Sequence, residues 1–215
     1  MISLVLVSHS AKIAEGARDL ALQMTQDKVQ IAVAGGLNDP EHPIGTDPMK
    51  VMEAINTVYS DDGVIILMDL GSALMSAETA IEFLEPDQQS KIHLCPAPLI
   101  EGTVAAAVQA SVGGSIDLVL QEASAALDSK RSHITGTAVA EQPTTASPDS
   151  RSQDGQRTLT ITVPNAQGIH ARPAARIVSI ANQFNAALTI QKAAQSVNAK
   201  SINQVTLLNA QQGDQ

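Results

Sequence analysis

Ile2-Ser3-Leu4-Val5-Leu6-Val7-Ser8-His9-Ser10 opens the chain and decides its architecture. Residues 2–7 are apolar at every position but one, which predicts a strand buried on both faces, as in a parallel sheet. A polar Ser-His-Ser turn ends the run. Beyond it Ile13, Ala17, Leu20, Ala21 and Met24 share one helical face over residues 10–24. The same alternation then repeats. Residues 29–34 predict a strand closed by Gly35-Gly36. Thr46 or Asp47 caps a helix with Pro48 in its first turn, running to about Tyr59. Residues 63–68 predict a third strand, 72–84 a helix capped by Ser72, and 92–95 a fourth strand. Helices over 100–112 and 116–129 follow, divided by Gly113-Gly114.

Strands and helices in strict alternation imply βαβ units and an α/β, doubly wound, mainly parallel sheet. Such sheets carry their chemistry on loops at the C-terminal strand ends. Four places qualify: Ser8-His9-Ser10, Gly35-Gly36, Asp69-Leu70-Gly71-Ser72 and Pro96-Ala97-Pro98. His9 is the candidate nucleophile. Asp69 is placed to orient its imidazole, and Ser8, Ser10, Thr46 and Ser72 offer hydroxyls.

Composition narrows the function classes. The 215 residues carry a net charge of −9, with two Phe, one Tyr and no Trp. Few aromatics and a negative charge both argue against nucleic acid. The single cysteine, Cys95, sits in an apolar run and reads as a core residue. No histidine or cysteine spacing suits a metal, and no cofactor is expected. The chain starts directly on its first strand without a basic leader, and no apolar run reaches the roughly 20 residues of a membrane span. The expectation is a soluble, cytoplasmic protein.

The total charge hides an asymmetry. Residues 1–135 hold 7 basic and 18 acidic side chains, a net of −11, whereas 156–215 hold 5 basic and 1 acidic, a net of +4. Between them lies a stretch rich in Ser, Thr, Pro and Gln without apolar periodicity. The expected division is a first domain over 1–131, a flexible linker over 132–156 and a second domain over 157–215.

In the second domain Leu159, Ile161 and Val163 alternate with polar residues, predicting a strand. Gly168-Ile169-His170-Ala171-Arg172-Pro173-Ala174 then places an imidazole at a helix N-terminus with a guanidinium two residues on. Free N–H groups and the helix dipole favour negative charge there. Arg172 adds a fork of donors suited to phosphate oxygens, and a neutral imidazole is a competent nucleophile. A strand over 188–191, a short one over 197–199 and a helix from Ser201 to about Leu208 complete the pattern.

This segment resembles HPr, the phosphocarrier of the sugar phosphotransferase system. The resemblance implies a small α+β open-faced sandwich, phosphorylation of His170 on the ring nitrogen nearer the main chain, and Arg172 as phosphate partner. HPr domains continue with a further strand and helix, so the expectation is a C-terminally incomplete domain. Ser201 matches a serine that is a regulatory phosphosite in some HPr proteins, and capping explains it as well.

Residues 1–129 resemble the mannose-type IIA domains of the same system. Leu4-Val5-Leu6-Val7-Ser8-His9-Ser10 matches their phosphorylated histidine after the first strand. Met68-Asp69-Leu70-Gly71-Ser72-Ala73, with Ala34-Gly35-Gly36 and Gly45-Thr46-Asp47, looks more specifically like the phosphoryl-donor subunits of phosphoenolpyruvate-dependent dihydroxyacetone kinases. That resemblance implies a phosphotransferase relay. Enzyme I and HPr are the donors, His170 and His9 the stations, and ADP on a dihydroxyacetone kinase subunit the acceptor. It also implies a homodimer through the first domain. Two other expectations stand beside it: a IIA–HPr component feeding a transporter's IIB domain, and a regulatory protein read through its phosphorylation state.

Overall fold

The computed structural model describes residues 1–135 and 157–215. β1 (Ser3–Ser8) forms from the opening apolar run, and every residue in it is buried. Its side chains divide by parity: Leu4 and Leu6 face one layer, Val5 and Val7 the other. β2 (Ile31–Gly35), β3 (Val64–Met68) and β4 (Ile92–Cys95) join it in a parallel sheet of order β2-β1-β3-β4. α1 (Ala11–Thr25), α5 (Leu99–Ser111) and α6 (Ile116–Ser124) cover the Leu4 face. α2 (Pro48–Val58) and α3 (Gly71–Glu82) cover the Val5 face. The short α4 (Pro86–Gln89) leads into β4. This is the doubly wound α/β layer structure that the alternation predicts. Cys95 is a fully buried core thiol, and burial pushes its pKa up.

Two local predictions shift. Asp47, not Thr46, caps α2 by accepting from the Met49 N–H at 2.9 Å. Ser72 is not the cap of α3, because that helix begins at Gly71 with Leu70 in the cap position. The hydroxyl of Ser72 is thereby left for other use.

After α6 the chain passes through a 3-10 turn, Ala125–Leu127, into α7 (Asp128–Thr135). Residues 132–135, placed by composition in the linker, are therefore helical, because α7 continues through them. The remainder of the expected linker, 136–156, lies outside the described residues.

In the second half α8 (Ala171–Ala181) and α9 (Ile202–Leu207) lie with a two-stranded antiparallel sheet, β5 (Thr189–Lys192) and β6 (Gln195–Asn198). The strand predicted at 159–163 is not formed. Its alternation is present, but Leu159 and Ile161 are exposed, and backbone pairing reaches only Val163, which exchanges hydrogen bonds with Gly213 and Asp214. Gly168 is required where it stands: φ is +67°, and a Cβ there would fall on the Ala210 carbonyl. Among the described residues, no helix is long and apolar enough to cross a membrane.

Candidate functional site

Sheet order fixes where a site forms. The chain moves from β1 to β2 on one side, then crosses back to β3 on the other, so a crevice opens beyond the C-terminal ends of β1 and β3. His9 leaves β1 there and Asp69 leaves β3. Gly35 lets the second loop close in: a Cβ on it would lie 2.7 Å from the Cα of Ala11, the first residue of α1. The Gly45 N–H donates to the His9 carbonyl at 2.9 Å, tying a third loop to the same point.

The imidazole of His9 is held at both nitrogens. Nδ1 lies 2.9 Å from Asp69 Oδ1, and Nε2 lies 2.6 Å from Ser72 Oγ. Asp69 also accepts from the Ser8 hydroxyl at 2.8 Å, the His9 backbone N–H at 2.9 Å and its neighbour Leu70's N–H at 2.7 Å. Burial opposes ionisation of this carboxyl, but the hydrogen bonds from His9, Ser8 and Leu70 together outweigh it and hold the pKa below the usual carboxylate range. An ionised carboxylate only accepts. His9 Nδ1 must therefore carry the proton, and Nε2 is left with the lone pair, facing a hydroxyl that can donate to it. Both side chains are about four-fifths shielded, at 20% and 16% exposure.

The other candidates divide. The Ser8 hydroxyl braces Asp69, and its oxygen accepts the Ser10 N–H at 3.1 Å. The Ser10 side chain makes no capping bond to α1. Thr46 pairs with Ser76 at 2.8 Å. Gly71 starts α3 with open space where a Cβ would stand. Cys95, Pro96 and Pro98 line, with Asp69 and Gly71, an open apolar cavity of about 810 Å³ beside the His9 loop. Glu101 at its rim pairs with Lys130, and His42 pairs with Asp39 on the surface.

His170 occupies the cap position of α8, is exposed and makes no capping bond with its own side chain. Its expected partner Arg172 donates from Nη2 to Gln23 Oε1 at 3.1 Å. His9 and His170 thus form two separate sites. Among the described residues, no group of three or more His, Cys, Asp or Glu is arranged to hold a metal ion.

Two family models match this chain, one in each half. The family described as PTS system fructose IIA component matches residues 3–120, and the PTS HPr component phosphorylation site matches 157–215. The phosphoryl donor subunit DhaM of the PEP-dependent dihydroxyacetone kinase from Pantoea ananatis is 48% identical over 97% of this chain and 44% of its own length. The chain therefore spans under half of that relative. The phosphoryl donor subunit DhaM of PEP-dependent dihydroxyacetone kinase 2 from Listeria innocua is 42% identical over 57% of this chain and 96% of its own length. A crystal structure of a protein of unknown function aligns with TM-score 0.51 and 38% identity, covering 57% of this chain and 92% of that one.

Proposed function

The chain belongs to the family of PTS system fructose IIA components, and on that footing we propose that it is a cytoplasmic phosphohistidine relay, the phosphoryl donor to a dihydroxyacetone kinase. The observation that carries the reading is the fixed tautomer of His9, with Asp69 on Nδ1 and the attacking lone pair on Nε2, which faces the Ser72 hydroxyl. Enzyme I, or HPr, supplies a phosphoryl group that began on phosphoenolpyruvate. It rests first on His170, whose helix-terminal N–H groups favour the added charge, with Arg172 available as a cation.

His9 Nε2 then attacks the phosphorus. The P–N bond to His170 breaks as the bond to His9 forms, and the electron pair of the broken bond returns to the His170 ring. In the next step the terminal oxygen of ADP on the kinase subunit attacks, and the P–N bond to His9 breaks. No metal or cofactor enters on this chain; the protein positions two groups in line and balances charge. In this reading Ser72, bonded to the attacking nitrogen, follows the phosphate, and Ser10, Thr46 and Gly71 are further supporting groups. The +4 second half and −11 first half are complementary in sign. The division into a IIA-like domain, a linker and an HPr-like domain belongs to this reading, as does a homodimer through the first domain. The named DhaM relatives support the choice of acceptor.

The test is incubation with phosphoenolpyruvate and enzyme I, mapping of phosphohistidines by mass spectrometry, and then addition of an ADP-loaded kinase subunit. Phosphate on His9 that passes to ADP is expected. Phosphate that passes only to a transporter IIB domain would replace this acceptor, and phosphate that leaves to no acceptor would favour a regulatory role.

A further inference from the structure

The two halves meet on a face that the phosphoryl chemistry does not use. Ala105 and Val108 on α5 are buried in one cluster with Ala174 and Val178 on α8 and with Ile202 and Val205 on α9. Short side chains on α5 and α8 allow the helices a close approach. Polar bonds fix the register. Glu122 on α6 accepts from Ser201 Oγ at 3.0 Å and from Asn203 Nδ2 at 3.0 Å, and the same amide donates to the Glu122 backbone carbonyl at 2.7 Å. Burial holds the Glu122 carboxyl above its ordinary pKa, so the contact is largely shielded from water.

The position of this contact matters. Arg172 is bonded to Gln23, in the last turn of α1, whereas His9 adjoins Ala11 at the first turn. Those ends are about 18 Å apart at ~1.5 Å per helical residue. Phosphoryl transfer needs reacting atoms within about 3–3.5 Å. A guanidinium engaged at the far end of α1 is not serving a phosphate in flight to His9.

We infer that the α5–α6 surface is a docking face for this chain's own HPr-like half, and that the docked arrangement is a parked state which must open before His170 delivers to His9. The docking itself is independent of the acceptor; its effect on delivery rests on the relay reading.

The experiment uses the full chain and two variants, Ala105→Glu, which puts a charge into the cluster, and Asn203→Asp, which sets a carboxylate against Glu122. Small-angle scattering reads docking, and thermal unfolding checks that both variants fold. A single-turnover chase from phosphorylated His170 to His9 reads delivery. Both variants are expected to increase the radius of gyration. If the parked form holds about nine-tenths of the molecules, delivery accelerates about tenfold. Unchanged scattering in both folded variants would overturn the docking face. Expanded variants with unchanged delivery would overturn the parked state. Expanded variants in a system where no chain delivers to His9 would uphold the docking face and defeat the relay instead.

Discussion

Asp69→Asn separates orientation of the His9 ring from its mere presence. Asp69 receives hydrogen bonds from His9 Nδ1, the His9 N–H, Ser8 Oγ and the Leu70 N–H, all between 2.7 and 2.9 Å. An asparagine of the same shape keeps one oxygen acceptor but replaces the other with an NH2 donor. One of the two oxygens serves His9 Nδ1 and Leu70, the other Ser8 and the His9 main chain, so one pair loses its acceptor whichever way the amide turns. If the NH2 faces Nδ1, the proton moves to Nε2 and the attacking lone pair is lost. Charge-assisted hydrogen bonds contribute roughly 1.5–3 kcal/mol each, and a mis-set imidazole tautomer in a comparable Asp–His arrangement costs up to about 10⁴ in rate. The expected loss in the rate of His9 phosphorylation is on the order of 10²–10⁴. The assay is quench-flow labelling of His9 from a phosphorylated carrier, with thermal unfolding as the control for stability. Because the folded Asp69 carboxyl is held below the usual range, its contribution is complete above the ordinary carboxylate pKa of about 3.9 and is lost only as pH falls through the lowered value. The defect should therefore be uniform across neutral pH. A folded Asp69→Asn protein labelling His9 within about threefold of wild type would refute the tautomer argument.

His170→Ala should abolish labelling of His9 from enzyme I when free HPr is excluded, whereas His9→Ala should leave His170 labelled and stop transfer onward; mass spectrometry of each chain reads both. Ser72→Ala removes the 2.6 Å contact to Nε2 and should slow His9 labelling about tenfold, in line with roughly 1–1.5 kcal/mol for one hydrogen bond, without lowering the unfolding temperature. Gly168→Ala meets both a positive φ and the Ala210 carbonyl, so it should destabilise the second half by about 1–3 kcal/mol in a denaturant titration. Glu122, raised by burial against the neutral Ser201 and Asn203, takes up a proton on docking, so docking is fully favoured below the ordinary carboxylate pKa and weakens as pH rises through the raised value. Scattering as pH is raised from the ordinary carboxylate value of about 4.3 should show the chain expanding, and Glu122→Gln should remove that trend.

The apolar run before His9 made the sheet readable, because a strand with no solvent face needs helices on both sides. Asp69 was readable for the same reason, as the polar residue ending the next core strand. Ser72 was misread. Its local signal is that of a cap, but His9, sixty-three positions away, engages its hydroxyl, and helix start signals carry no such long-range term. The strand at 159–163 failed in the opposite way: period-two alternation states which face would be buried, not whether a partner strand exists. The docking face was invisible because Ala105 and Ala106 look alike in sequence, yet one is buried against the second half and the other in the first core. Glu122 gave no signal beyond being a polar residue on a predicted helix.

His9, His42 and His93 share a side chain and differ in what surrounds it. His42 sits on the surface with Asp39, and His93 lies within β4 opposite Ile65. Only His9 stands at the crossing point of the sheet, where a carboxylate arrives from the neighbouring strand. In the proposed relay that pairing does more than select a tautomer. Attack through Nε2 leaves the ring cationic with its proton still on Nδ1, 2.9 Å from an ionised carboxylate. Departure of the phosphoryl group returns the ring to neutrality without moving the proton. Neither half-reaction therefore waits for a general acid or base, which suits a station that must accept and release the same group. Among the described residues no carboxylate is bonded to the His170 ring; its α8 N–H groups, with Arg172 once released from Gln23, act on the phosphate rather than on the imidazole. The two stations thus stabilise opposite ends of the same N–P bond.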